Sequence, residues 1–151
     1  MSTSVRRTLG TLALIVAVLP HLGASDDLSS PVGAWKTIDD KTGKALSIVR
    51  VYEQDGQVFA RVERILTPGE ETRTCTRCTD DRKDQPVVGL VFMRHMQLVD
   101  GIYRNGDILD PENGTVYRCR MQLEDGGRKL RVRGFVGMSW FGRSQVWQRE
   151  P

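Results

Sequence analysis

Thr115-Val116-Tyr117-Arg118-Cys119-Arg120-Met121-Gln122-Leu123-Glu124, then Asp125-Gly126-Gly127-Arg128, then Lys129-Leu130-Arg131-Val132-Arg133-Gly134-Phe135-Val136 is the stretch that decides the fold. Glycine's permissive backbone allows a two-residue turn at Gly126-Gly127. That turn sets Leu123 opposite Leu130, Met121 opposite Val132, Cys119 opposite Gly134 and Tyr117 opposite Val136, which makes an apolar face. The alternate positions pair Glu124 with Lys129, Gln122 with Arg131, Arg120 with Arg133 and Arg118 with Phe135, which makes a largely polar one. A slip of one residue would reverse every side chain, so a single register that sorts both faces predicts an antiparallel sheet with one side in water.

The same reading extends outward. Asp55-Gly56 is a strong hairpin signal between Leu46–Gln54 and Gln57–Leu66. It pairs Val49 with Val62, Val51 with Ala60 and Glu53 with Val58 on one face, and Tyr52 with Phe59, Arg50 with Arg61 and Ile48 with Glu63 on the other. Val32–Ile38 reads as a first strand carrying Trp35, closed by the turn Asp39–Gly43. Val87–Val99 and Ser144–Arg149 read as further strands. Asp100-Gly101 and the nearby Asn105-Gly106 are turn signals before a short strand, Asp107–Leu109, and Asp110–Gly114 is a turn in which proline and glycine fix the backbone. Asp26–Pro31 reads as a loose lead-in. Thr67–Pro86 has no periodicity and reads as a long loop, of the kind that often serves function.

These segments predict an all-β domain of roughly eight antiparallel strands in an up-and-down barrel, since closure removes exposed strand edges. A barrel of that size is either filled by side chains or just wide enough for one small ligand.

Residues 1–25 carry the parts of a secretory signal: Arg6 and Arg7, the apolar run Leu9–Leu19, and the small residues Gly23-Ala24-Ser25. A membrane anchor needs about 20 apolar residues, and Pro20 and His21 break this run. The expected mature chain, 26–151, is one domain, periplasmic or secreted, with no transmembrane segment. Removing the signal takes two of the 22 basic residues and none of the 19 acidic ones. The remainder is nearly neutral, which gives no support for a nucleic-acid partner.

Only His95 remains after that removal, which excludes a histidine-rich metal site or a second catalytic histidine. Cys75 and Cys78 form a C-x-x-C that admits three readings. A redox pair would need a helix N-terminus to lower the thiol pKa, and no helix is evident. A zinc site would need four ligands, which Cys75, Cys78, Cys119 and His95 could supply only together. An exported chain favours a structural disulfide. Cys75–Cys78 with Cys119 buried is the expected pairing, and a crossed pairing with Cys119 stays open. No cofactor or metal is expected.

Arg118, Arg120, Arg131 and Arg133 would stand in a row across the polar face. That is either a solvated wall or an anion patch. Arg50 and Arg61 could hold a carboxylate if they faced inward, but the aliphatic face opposite them has the better claim to the interior. No G-x-S-x-G is present and His95 has no evident catalytic partner. The adjacent carboxylates Asp39-Asp40 and Asp80-Asp81 read as solvated turns. An enzyme is therefore not expected.

Gly33-Ala34-Trp35, with a basic residue near the last strand, Arg143 or Arg149, resembles the lipocalin and wider calycin pattern. Gly33–Thr37, Cys75–Cys78, Lys83–Pro86, Ile108–Gly114, Val132–Phe135 and Phe141–Trp147 resemble an exported bacterial family of unknown function, domain-of-unknown-function family 2147, over nearly the whole mature chain. The resemblance implies a lipocalin-like barrel closed at one end by Trp35 and a cation, taken as Arg143, and it supplies no catalytic residues. The expected function is binding or carriage of a small apolar or amphipathic molecule in the cell envelope, with Val49, Val51, Val62, Tyr117, Met121 and Val132 lining the interior. The alternative is an interaction module with a filled barrel that uses the arginine face or the 67–86 loop.

Overall fold

A computed structural model describes residues 27–138, 140 and 142–151. The expected signal, residues 1–25, lies outside them. Among the described residues the strands are β1 (Gly33–Ile38), β2 (Ala45–Gln54), β3 (Gln57–Ile65), β4 (Val91–Val99), β5 (Ile102–Asp110), β6 (Thr115–Glu124), β7 (Lys129–Phe135) and β8 (Gly142–Arg149). Each pairs antiparallel with its neighbour in sequence, and β8 returns to β1 through Trp35 opposite Arg149 and Lys36 opposite Gln148. The result is a closed up-and-down barrel.

The β6–β7 register pairs Leu123 with Leu130, Met121 with Val132, Cys119 with Gly134 and Arg120 with Arg133. The connection itself is longer than a two-residue turn. Asp125–Gly127 forms a single 3-10 turn, and Asp125, Gly126 and Gly127 all have positive φ. The register survives because the extra residues are added symmetrically about the same centre. Tyr117 does not pair with Val136, because β7 ends at Phe135 and Val136 bends away into an exposed loop.

Three further expectations need correction. Ile48 pairs with Arg64 rather than Glu63, because a bulge between Ile48 and Val49 inserts one residue into the ladder. Asn105-Gly106 is no turn but an irregularity within the nine-residue β5, where Asn105 takes φ 68°. Bulges of this sort bend strands as a sheet curls into a barrel. The third concerns the start of β4: Val87 and Leu90 lie in the β3–β4 loop, buried against the barrel rather than in the strand.

The inner row of side chains divides the barrel into two ends. Val51, Ala60, Met93, Met96, Met121 and Leu130 are each 1% exposed or less and fill the closed half. Beneath them Trp35 seals the base, its indole N–H donating to Pro31 O at 2.8 Å. The cation over that ring is Arg149, with its guanidinium carbon 4.3 Å from the centroid, and not Arg143. Both arginines belong to the inner row of β8, but six residues at about 3.3 Å each separate them by about 20 Å. Arg143 therefore sits at the opposite end, paired with Asp40 at 3.2 Å.

The lead-in is not loose. Arg149 donates to Ser30 O at 2.6 Å, Gly127 O at 2.7 Å and Val32 O at 3.1 Å, which straps residues 30–32 across the base. A side chain at Gly127 would meet Leu28 O at 1.9 Å, so only glycine lets the lead-in cross there.

The β3–β4 loop folds back on itself. Cys75 N donates to Gln85 O and Val87 N to Arg73 O, both at 2.8 Å. Cys75 and Cys78 are joined in a disulfide, both are buried, and Cys119 is free. Arg82, 3% exposed, forks onto Asp80 and reaches Val91 O at 3.4 Å, pinning the loop to β4. Asp80 and Asp81 are both exposed, as expected of a solvated pair, but each also holds an arginine. Arg82 pulls the Asp80 carboxyl down to about 2, chiefly by its side-chain hydrogen bond. Asp81 takes a bidentate contact from Arg94 at 2.8 and 2.9 Å.

Candidate ligand-binding cavity and the outer arginines

The end of the barrel away from Trp35 is open, and a cavity of about 530 Å³ enters it. Its walls follow from strand alternation, because every second residue of each strand faces inward. The apolar part of the lining includes Val49, Val62, Phe92, Ile108, Val132 and Trp147. Alongside it runs a belt of groups able to hydrogen-bond, Thr37, Ser47, Tyr117 and Gln145, with Gln145 directly opposite Val132. Thr37 Oγ1 and Ser47 Oγ stand 2.7 Å apart, Trp147 Nε1 donates to Gln145 Oε1 at 3.3 Å, and Asn113 Nδ2 donates to the Tyr117 hydroxyl at 3.4 Å. The belt is held largely by its own contacts.

Charged groups border the mouth. Arg73 donates to Glu70 at 3.0 Å and lies 3.6 Å from Glu112, while its Nε is buried without a hydrogen-bond partner. Asp39 accepts from the backbone of Thr42 and Lys41 and from the Thr42 hydroxyl, and these bonds hold its carboxyl below the usual range, the Thr42 backbone bond most of all. Glu70, Arg73 and Val87 all come from the β3–β4 loop, so the stapled loop forms part of the cavity rim.

Of the six side chains expected inside, Val49, Val62, Tyr117 and Val132 line the cavity. Val51 and Met121 face inward too but belong to the packed closed half. Several lining residues escaped sequence reading. Thr37 and Ser47 lie near bulges, and Arg73 sits in a segment without a period. Trp147 could have been found, since it pairs with Leu130, a residue already assigned to the inner face.

The four arginines of the outer face do not converge on one point. Arg131 pairs with Glu124 through two contacts, and Arg133 donates to Ser144 Oγ at 2.9 Å and Trp140 O at 3.1 Å. Arg118 and Arg120 instead lie over the Phe135 ring, 5.9 and 5.6 Å from its centroid. Arg50 is also outside the barrel, paired with Glu63 at 2.9 Å, and its hydrogen bond lowers the Glu63 pKa. His95 is exposed on β4 and meets Gln57 at 3.0 Å, whereas the disulfide lies in the β3–β4 loop. Burial pushes the Cys119 thiol up to about 12.

A family model described as "uncharacterized protein conserved in bacteria (DUF2147)" matches residues 33–149. Among solved structures, protein HP1028 from Helicobacter pylori, described as belonging to the lipocalin family, is similar with a TM-score of 0.70 and 18% identity, over 81% of this chain and 84% of that one. No curated protein matches.

Proposed function

The chain belongs to the DUF2147 family, and from that premise we propose that it binds a small amphipathic molecule in the open half of its barrel. The observation that carries this reading is the make-up of the cavity lining: apolar side chains such as Val49, Val62, Val132 and Trp147 stand beside the hydrogen-bonding Thr37, Ser47, Tyr117 and Gln145, with Glu70, Arg73 and Arg143 among the charged groups. Its size, about 530 Å³, falls within the ordinary span of small-molecule sites, and such sites are mostly apolar with a few placed polar groups. A molecule with an apolar body and a polar head would remove its body from water while its head stayed at the rim, where Arg73 Nε lacks a partner.

Binding rather than catalysis fits the chemistry of the walls. Among the described residues the lining carries no histidine and no cysteine, and the nearest polar groups are tied to one another. The N-terminal segment, with its signal-like pattern, favours a place in the cell envelope after its removal.

Extraction of the protein isolated from its own host, followed by mass spectrometry of the extract and of the intact complex, tests the proposal. The expected result is a stoichiometric small molecule, displaced by an apolar fluorescent probe that reports the same cavity. Protein that releases nothing and takes up no probe would sink it.

A further inference from the structure

Val136, Met138 and Trp140 are 63%, 59% and 68% exposed, all on the loop between β7 and β8. Single exposed apolar residues are ordinary. Three at alternate positions of one loop are not, and Val116, 45% exposed, extends the apolar strip on the outer row of β6. Arg133 holds the loop against the wall through the Trp140 carbonyl.

Directly beside the loop lie Arg118 and Arg120. Arg131 on the next strand is neutralised by Glu124. Among the described residues, by contrast, Arg118 and Arg120 form no ion pair within 4 Å, although Asp107 stands opposite Arg118 in the β5–β6 ladder, and both lie over the Phe135 ring. With Arg104, Phe135, Met138 and Trp140 they border an outer groove of about 330 Å³. Arg120 also stands directly opposite Arg133, and like charges so placed are unfavourable.

We infer that this lip is a docking surface for an anionic lipid bilayer, with Val136, Met138 and Trp140 entering the interface and Arg118 and Arg120 lying at the level of the phosphates. Charge complementarity selects an anionic surface. The apolar side chains stand exposed on a loop at the edge of that groove, so an occupant need not match a closed contour. An indole favours the boundary between acyl chains and headgroups, and reversible membrane binding becomes firm when an apolar and a basic signal act together. Phe135 borders both the groove and the cavity, so docking would bring the open end of the barrel beside the lipid. The inference holds whether or not the cavity is occupied.

The full chain is mixed with vesicles of phosphatidylglycerol and phosphatidylcholine, or of phosphatidylcholine alone, and partitioning is followed by sedimentation and tryptophan emission. Of the three tryptophans, Trp35 and Trp147 are 0% and 1% exposed, so a blue shift reports Trp140. Anionic vesicles should bind the protein and shift its emission, salt should reverse both, and neutral vesicles should do neither. Arg118→Gln with Arg120→Gln should weaken partitioning about 30-fold, from two lost surface attractions, and Met138→Ser with Trp140→Ser at least about tenfold. Urea midpoints of both variants should match the parent, because the changed groups are on the surface. No binding to anionic vesicles overturns the inference. So does equal binding by parent and variants, which would place the attraction in residues 1–25 or on another face, or retention of these residues by an acidic protein with vesicles ignored. None of these outcomes touches probe uptake in the cavity.

Discussion

The guanidinium carbon of Arg149 lies 4.3 Å from the centroid of the Trp35 indole while the same group donates to three carbonyls of the lead-in and the β6–β7 turn. One side chain thus covers the base of the barrel, ties down the N-terminal strap and meets the first strand from the last. Arg149→Ala should cost about 3 kcal/mol or more in urea unfolding, since charge-assisted hydrogen bonds and a desolvated ring contact are lost together. Arg143→Ala removes an exposed pair with Asp40 and should change stability by about 0.5 kcal/mol or less. Equal effects at the two positions would refute the assignment of Arg149 to the base.

Val132 and Val51 face the same interior but different halves of it. Val132→Phe should fit into the open cavity, reduce uptake of an apolar probe by about tenfold and leave the fold stable to within about 1 kcal/mol. Val51→Ala, in the packed half, should cost about 2 kcal/mol and leave probe affinity nearly unchanged. Probe titration and chemical denaturation of both variants separate the two ends of the barrel.

Alkylation should count the thiols in steps. Native protein at pH 8 should resist iodoacetamide, because the buried Cys119 thiol is pushed up to about 12 and thiolate is the reactive form. Unfolding without reductant should expose one reactive thiol, and reduction should release two more from Cys75–Cys78. Mass mapping that links Cys119 to either partner would overturn this pairing.

Acid should loosen the β3–β4 loop in a defined window. The Asp80 carboxyl sits below its ordinary 3.8, at about 2, chiefly because Arg82 donates to it. Its contribution is fully present above about pH 4 and is lost as pH falls through 2. Asp80→Asn should lower stability at pH 7 by about 1 kcal/mol, a modest figure because the carboxylate is partly exposed and screened. The gap between variant and parent should close between pH 4 and pH 2. A gap that is constant with pH would mean that the charge of Asp80 does not hold Arg82.

What could be read from the residues alone follows from parity. Alternation in β2, β3, β6 and β7 assigns inner and outer rows, because one slip of register would bury Arg118, Arg120, Arg131 and Arg133 and expose Leu123, Met121, Leu130 and Val132. Parity says nothing about height along a strand. Arg143 and Arg149 share a row, so the residue over Trp35 could be chosen only once the ladder between β1 and β8 was known. Bulges escaped for a related reason. The positions at Ile48 and Asn105 answer to the curvature needed for closure, which no local pattern encodes. Arg73 and Arg82 act from a segment with no period at all, held by a disulfide and by backbone bonds between residues far apart in that loop.

The seam between β1 and β8 joins the first strand to the last. While the ribosome is still adding residues, hairpins such as β2–β3 can form and dissolve, but the cylinder cannot seal until β8 has emerged. Completion therefore follows synthesis rather than accompanying it, and until then the polypeptide stays linear enough to be threaded through a narrow pore.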